Sequence, residues 1–320
     1  MAERRETYML LGASCISHTP FMDRARADRE VEEQFFVTAE RLAAEIAELN
    51  IDTVVVIHPD HYNGFFYNFM PAFCIGIQAR SIGDYGTVEG ELPVDSEMAQ
   101  DLAASCLNDG VDIAFAYRME VDHGFAQPFE MMFAGATLPK VIPVMINCVA
   151  APRPTFARAR KLGEAIGRWA VGRPERIYVL ASGGLSHDPP MPSLNNSSEA
   201  KRLSLIEGGR PSYTVRLERQ SNVYAAGKAH VSGRGEIKPI NEEFDRSLLQ
   251  AMAEGRLGTL DSYSTDALTA LAGCGAHEVR TWIAALSALK AVGEYSAELY
   301  FYAPIQEWIT GTALLKAANI

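Results

Sequence analysis

The chain has 320 residues, of which 48% are hydrophobic and 22% are charged, as is usual for a folded globular protein. Its formal net charge of −11 excludes a general nucleic-acid binder, which needs a basic face. No apolar run reaches transmembrane length and the N-terminus lacks the apolar core of a signal peptide, so we expect a cytoplasmic protein with no membrane partner. The five cysteines form no Cys-x-x-Cys pair and predict buried free thiols, neither disulfides nor a zinc cluster.

The predicted elements alternate between apolar strand patterns and amphipathic helix patterns. The clearest strand contains residues 54–57, a β-branched run stopped by Pro59, which is typical of a strand buried on both faces and paired in parallel. Strands are predicted at residues 8–15, 53–58, 73–79, 112–118, 141–149, 177–181 and 299–305. Helices are predicted at residues 29–49, 96–107, 156–170, 242–254, 257–271 and 276–292, with a short one after the last strand.

This alternation predicts an α/β fold with a central mixed, largely parallel sheet flanked by helices and a helical C-terminal part, in a single domain over residues 1–320. Residues 188–240 interrupt it, because they are rich in Pro, Ser, Gly and Asn and show no strand pattern. Between Asn195 and Lys238 stand eight Lys or Arg and four Glu, a basic patch in an acidic protein. Two interpretations stay open: a solvated pair of surface helices, or a mobile lid inserted in the domain that meets an anionic group of a substrate.

Four of the seven histidines stand a few residues after a predicted strand. They are His18, His61, His123 and His187, each in a loop beside Gly, Pro, Asp or Ser. In an open α/β sheet the ligand crevice lies beyond the carboxyl ends of the strands, so these imidazoles are predicted to meet there. The alternative is that strand ends are polar in any protein, but this explains polarity and not a preference for imidazole.

Two imidazoles and one carboxylate form the facial triad of non-haem Fe(II) oxygenases, which leaves positions open for substrate and O₂. The same ligands serve zinc hydrolases, which keep water in the open position. Glu278, in the first turn of the helix predicted from residue 276, is the candidate carboxylate, although an ordinary glutamate at a helix N-terminus has the same pattern. The aromatic residues at 65–70, just past His61, are either core or the apolar wall of a pocket.

Several long segments resemble the class III extradiol ring-cleaving dioxygenases, namely SHTP, PDHYNGFFYNFMPAFCIGI, IGDYG with GELPV, VDHGFAQP, SGGLSH and HEVRTWIAA. The resemblance extends over nearly the whole chain and is thinnest in the basic segment described above. It implies that His18 in SHTP, His61 in PDHYNG and Glu278 in HEVRTW bind the metal. It also implies that His123 in VDHGFAQP donates a proton during the reaction and that His187 in SGGLSH accepts one.

The resemblance further implies an Fe(II) cofactor, a homo-oligomer, and extradiol (meta) cleavage of a 3-substituted catechol by O₂ to a 2-hydroxy-6-oxo-dienoic acid. A substrate such as 2,3-dihydroxyphenylpropionate is expected. A zinc-dependent hydrolytic or non-oxidative enzyme on the same fold and a non-catalytic metal-binding subunit stay open as alternatives. His58 departs from the family pattern, which has an apolar residue there, and we expect a packed imidazole or a neighbour of the ligands, not a rival ligand.

Overall fold

The computed structural model of the chain describes residues 10–22, 27–133, 137–209, 211–235 and 237–320. Its strands, in chain order, are β1 (Leu10–Ile16), β2 (Thr53–His58), β3 (Phe73–Gly76), β4 (Ala79–Ile82), β5 (Glu89–Glu91), β6 (Ala114–Ala116), β7 (Met119–Val121), β8 (Lys140–Ile146), β9 (Ile177–Ser182), β10 (Tyr295–Ile305) and β11 (Thr310–Asn319). Its α-helices are α1 (Arg29–Ala47), α2 (Ser96–Asn108), α3 (His123–Phe133), α4 (Phe156–Ala170), α5 (Glu199–Glu207), α6 (Tyr213–Val231), α7 (Glu242–Ala253), α8 (Thr265–Ala272) and α9 (Val279–Val292).

A mixed sheet of eight strands forms the centre of the molecule, in the order β10-β11-β1-β9-β2-β8-β3-β6. Four neighbouring pairs are parallel, namely β1 with β9, β9 with β2, β2 with β8, and β3 with β6. The other three pairs are antiparallel. A second, small sheet has three strands in the order β5-β4-β7. The prediction of a mixed, largely parallel central sheet is confirmed.

Strand β2 shows why helices cover both faces of this sheet. All six of its residues are buried, as the β-branched run predicted. Val55 and Ile57 pack in one core cluster with side chains of α4 and α9, whereas Val54 and Val56 pack in a second cluster with side chains of α1 and α3. Successive residues of a strand point to opposite faces, so the continuous apolar run supplies both clusters.

In the middle of the chain, two strands differ from their predicted bounds, and one helix was not predicted. The strand predicted at 73–79 is two strands, β3 and β4, because the chain bends at residues 77–78 and β4 enters the small sheet. The strand predicted at 112–118 is limited to β6. Helix α3 was missed because Gly124 and Pro128 suggested a loop. It begins there because Oδ1 of Asp122 accepts a hydrogen bond from the Gly124 backbone N–H at 2.9 Å, which caps the helix.

The end of the chain is a strand, and the predicted short terminal helix is wrong. The sequence TALLKAA in β11 contains good helix formers. However, β11 pairs with both β10 and β1, and this places Leu314 and Leu315 in the two opposite core clusters. Burial on both faces therefore overrides local propensity. The helix predicted at 257–271 is divided into a 3₁₀ helix (Leu257–Ser262) and α8.

The other predicted elements are present with ends that differ by a few residues. In the first predicted strand, residues 8 and 9 lie outside the described residues. The basic segment at 188–240 contains the helix pair α5 and α6, and its movement as a lid stays a prediction. Within the described ranges, no helix combines the length and the hydropathy needed to cross a membrane.

Candidate active site

The four predicted histidines meet at one end of the central sheet. His18, His61 and His187 follow β1, β2 and β9, which are neighbours in the sheet and parallel, so their carboxyl ends lie together. His123 is the first residue of α3. The ring centroid of His18 lies 5.4 Å from those of both His61 and His123, and the His61 and His123 rings stack at 4.6 Å.

Glu278 joins these histidines from a distant part of the chain. It ends a short 3₁₀ turn, Gly275–Glu278, that leads into α9. Its Oε1 lies 3.1 Å from Nε2 of His61, and its Oε2 lies 3.8 Å from Nε2 of His18. The turn approaches His187 so closely that a Cβ at Gly275 would lie 2.1 Å from Nε2 of that imidazole. The structure therefore brings all three predicted metal ligands together.

The imidazoles of His18 and His61 are each held at Nδ1, so that Nε2 faces the carboxylate of Glu278. Nδ1 of His61 donates to Oδ2 of Asp122 at 3.0 Å, and Oγ of Ser182 lies 2.8 Å from Nδ1 of His18. The backbone N–H of Gly184 donates to Oε2 of Glu278 at 2.9 Å. Groups that fix the second nitrogen of an imidazole in this way orient metal ligands in many proteins.

The charges of this cluster suit a bound cation. Burial alone would lower the pKa of His61, but Asp122 and Glu278 outweigh it and hold that pKa well above its usual value. Burial likewise opposes ionisation of Glu278, but the neighbouring imidazoles, His18 first, hold its pKa well below the usual range. Burial lowers the pKa of His18 to about 3, so this imidazole is neutral.

The donor set fits a borderline divalent metal such as Fe(II) or Zn(II), for which imidazole and carboxylate ligands are common. The imidazole of His61 lies between the carboxylates of Asp122 and Glu278, which favour a proton on it in the absence of a metal. A metal bound to Nε2 of His61 would take the place of that proton, because imidazole binds metals in its neutral form.

His123 is a second candidate for the third ligand position. Ligand atoms of His18, His61 and His123 lie within 4.8 Å of one another, and so do those of Asp84, Asp122 and His123. Nδ1 of His123, however, donates to Oδ2 of Asp84 at 2.7 Å, and both side chains are buried. Glu278 is the residue that the resemblance implies for this position, and its carboxylate lies next to Nε2 of both His18 and His61.

His187 lies on another side of Glu278, with its Nε2 3.6 Å from Oε1. Its Nδ1 donates to the backbone oxygen of Leu185 at 2.9 Å, which leaves Nε2 as the basic nitrogen of the neutral ring. Burial opposes protonation of His187, but Glu278 outweighs it and raises the pKa above the usual value.

Sequence reasoning missed the residues that hold the histidines. Asp122 had a signal, since it directly precedes His123 in the VDHG motif, and Asp84 stands in IGDYG. Tyr85, the next residue, packs edge-on against His123 with ring centroids 4.5 Å apart. Ser182 had no signal, because its role depends on the neighbouring strand.

His58 and the aromatic run have structural environments. His58 is fully buried, its Nδ1 donates to the backbone oxygen of Pro59 at 2.8 Å, and its ring packs edge-on against Phe125. It is the packed imidazole that was expected. Of the run at 65–70, Phe65 and Phe66 are buried in core clusters, as the core interpretation expects, whereas Phe69 is 68% exposed.

A cavity of about 640 Å³ opens above this cluster. Its floor includes His18, His61, His123, His187 and Glu278. The segment before α5 and the helices α5 and α6 form another part of its wall, which contains both apolar and basic side chains. This volume is in the range of pockets that enclose small organic ligands.

Comparison with known proteins places this site in context. Residues 12–313 match the model of one protein family, described as the catalytic LigB subunit of aromatic ring-opening dioxygenase. A 2,3-dihydroxyphenylpropionate/2,3-dihydroxicinnamic acid 1,2-dioxygenase of Paraburkholderia xenovorans (strain LB400) is 43% identical over 306 residues, which cover 96% of this chain and 97% of the relative. A protein of the same name from Rhodococcus sp is 41% identical over 312 residues, with 98% and 99% coverage.

A solved structure shows a similar fold. The crystal structure of the uncharacterized protein JW3007 from Escherichia coli K12 has a TM-score of 0.51 and 12% sequence identity, and the match covers 96% of this chain and 99% of that one. At this identity the likeness concerns the fold alone.

Proposed function

Because this chain belongs to the family of the catalytic LigB subunit of aromatic ring-opening dioxygenases and is an extradiol ring-cleaving enzyme, we propose that it cleaves a 3-substituted catechol with Fe(II) and O₂. The substrate class is that named for its relatives, catechols such as 2,3-dihydroxyphenylpropionate. The observation that carries the proposal is the meeting of two oriented imidazoles and one carboxylate in the lining of a cavity of about 640 Å³.

We assign the metal to His18, His61 and Glu278, whose Nε2 and carboxylate atoms lie side by side. When bound, Fe(II) supplies open coordination positions and redox chemistry for a catechol and O₂. Asp122 and Ser182 keep the two imidazoles in the orientation that this binding needs.

His187 is proposed to remove a proton from a catechol hydroxyl. Its Nδ1–H donates to the Leu185 carbonyl, so Nε2, which lies 3.6 Å from Oε1 of Glu278, is the nitrogen that would accept the proton. Positioned bases of this kind contribute about 10²–10⁴-fold to a rate.

His123 is proposed to donate a proton when the O–O bond breaks. Its ring is held between His61 and Tyr85, and Oδ2 of Asp84 accepts its Nδ1–H. This hydrogen bond leaves Nε2 as the nitrogen that carries the transferable proton, and the carboxylate compensates the charge of the imidazolium.

The experiment is anaerobic loading with Fe(II), followed by oxygen uptake and visible spectra with a panel of 3-substituted catechols. Stoichiometric oxygen uptake with a yellow ring-fission product is expected. Activity of the zinc form without oxygen would instead support the hydrolytic alternative, and no turnover of any catechol would support a non-catalytic subunit. The predicted homo-oligomer is tested separately by sedimentation of the purified protein.

A further inference from the structure

The described charged residues of α5 and α6 differ by sign in where they lie: three basic ones line the cavity, and the acidic ones are exposed to solvent. Lys201, Arg216 and Arg219 line the cavity. The described glutamates of the same stretch are exposed and lie outside the cavity wall, namely Glu199, Glu207 and Glu218. In a protein with a net charge of −11, a wall that carries cations and no carboxylate of its own is suited to an anion.

Two of these three cations have no structural partner in the described part of the chain. Arg216 is used by the fold, since its Nη1 donates to the backbone oxygen of Ile82 at 2.7 Å and its guanidinium packs over the ring of Tyr213. The ammonium of Lys201 and the guanidinium of Arg219 make no hydrogen bond or ion pair with any described residue. Their donors are therefore available to a ligand.

The positions of Lys201 and Arg219 also cost free energy in the ligand-free protein. Both side chains are partly buried, and burial lowers the pKa of each. The charge of Arg219 lowers the pKa of Lys201 further, so the two cations are close enough to repel each other. A bound anion would relieve this repulsion, because it attracts both charges.

The N-terminal end of α5 adds to the positive potential of this wall. Asn196, Ser197 and Ser198, which precede the first turn of this nine-residue helix, line the same cavity. Polar donors at the positive end of a helix dipole favour an anion there. The four histidines and Glu278 line the same cavity as this wall, so one ligand in it can contact both groups.

We propose that Lys201 and Arg219 form a subsite that binds the carboxylate at the end of a catechol side chain, and that they give this enzyme its preference for acidic over neutral catechols. The inference rests on the proposed function, in which the catechol hydroxyls face the metal ligands. The relatives are named for substrates that carry such a carboxylate. The new element is the assignment of its recognition to these two side chains on α5 and α6.

The test compares two substrates of similar shape, 2,3-dihydroxyphenylpropionate and 3-propylcatechol, with the Fe(II)-loaded enzyme. In Lys201→Gln and Arg219→Gln, kcat/KM for the acid should fall about 10-fold each, and about 100-fold in the double variant, because each loses a charge-assisted hydrogen bond. The loss should lie mainly in KM. Turnover of 3-propylcatechol should change less than about 2-fold, which also shows that the variants fold.

Arg202→Gln is the matched control, because Arg202 is an exposed cation of α5 that does not line the cavity. It should leave both substrates unchanged. An equal fall with both substrates in the double variant, at normal metal content, would overturn the proposal, because the helices would then only shape the cavity.

A binding measurement separates this proposal from the proposed function. Calorimetry with 3-phenylpropionate, which lacks the hydroxyls, should detect binding to the wild type that weakens with salt and is lost in the double variant. If no catechol is cleaved but this binding behaves as expected, the function fails and the subsite stands. If catechols are cleaved and the double variant binds 3-phenylpropionate as well as the wild type does, the subsite fails alone.

Discussion

At the scale of single residues, the carboxylate of Asp122 links helix α3, the loop that contains His61 and Asn63, and the candidate active site. Its Oδ1 caps α3, and its Oδ2 accepts hydrogen bonds from the backbone N–H and Nδ1 of His61 and from Nδ2 of Asn63. Burial opposes its ionisation, but His61 outweighs burial and holds its pKa well below the usual range. The buried carboxylate of Asp122 thus caps the N-terminus of α3, which starts at His123, and orients His61, a proposed metal ligand.

The ligand assignment predicts how metal binding responds to substitution. His18→Ala, His61→Ala and Glu278→Ala should each lose stoichiometric iron together with turnover, because each removes one of three ligand atoms. Iron per protein chain after anaerobic loading and desalting is the measurement.

His123→Ala and His187→Ala provide the contrast, since both lie beside the ligands but are assigned to proton transfer. They should keep the iron and lose about 10²–10⁴-fold in rate. Retained iron in Glu278→Ala with loss in His123→Ala would show that the metal is held by three imidazoles.

Asp84 is predicted to act through His123. In Asp84→Asn the amide oxygen can still accept the Nδ1–H, but the charge that compensates the imidazolium is lost. We expect kcat to fall about 10- to 100-fold, with KM and iron content near those of the wild type. Steady-state kinetics and metal analysis check this.

Asp112→Asn is the control for Asp84→Asn, because its carboxylate is 98% exposed. It should be neutral in both measurements. Loss of iron in Asp84→Asn would contradict the assignment, since the group formed by Asp84, Asp122 and His123 would then hold the metal.

At the scale of elements, the packing of α4 against α9 supports the turn that carries Glu278. A Cβ at Gly163 would lie 2.0 Å from the backbone oxygen of Ala284, and one at Gly167 would lie 2.1 Å from that of Ala288. The two helices therefore touch along their backbones, which requires glycine at these points of α4. Because α9 follows Glu278 directly, this contact helps to fix the depth of the carboxylate.

Gly163→Ala is therefore predicted to destabilise the protein although alanine favours helices. The clash with the Ala284 carbonyl should outweigh the propensity gain of about 1 kcal/mol and leave a net loss of about 1–3 kcal/mol. Denaturant unfolding of the metal-free protein measures it.

Gly258→Ala is the comparison for Gly163→Ala, because a Cβ at Gly258 would meet only an Asp261 oxygen at 3.9 Å. Its effect should stay within about 0.5 kcal/mol. Equal stability of the two variants would mean that α4 and α9 can separate without cost.

At the scale of the whole molecule, the sequence predicted those features that depend on local pattern. The buried run of β2, the helices α1 and α4, and the positions of His18 and His61 after strands could all be read from periodicity. Features that depend on contacts between distant parts of the chain could not be predicted from periodicity. β11 is a strand because β10 and β1 flank it, and Asp84 matters because the fold brings it to His123. The place of Glu278 came from family resemblance, since its own pattern is that of any helix N-terminus.

The proposed ligands come from widely separated parts of the chain, with His18 after β1, His61 after β2 and Glu278 before α9. A metal bound to all three joins these parts in the folded state and has no comparable site in the unfolded chain. Binding should therefore raise the melting temperature. At a free metal concentration 100 times the Kd the gain is about 2.7 kcal/mol, which corresponds to about 4 °C for a chain of this size.

Anaerobic thermal melts with and without Fe(II) measure this shift. Glu278→Gln, which keeps the shape of the side chain but not its charge, should melt at the same temperature with and without the metal. His187→Ala, which removes an adjacent imidazole that is not an assigned ligand, should keep the full shift because the three ligands remain. A full shift in Glu278→Gln would contradict the role of its carboxylate. An absent shift in His187→Ala would contradict the assignment, because the three assigned ligands alone would then not hold the metal.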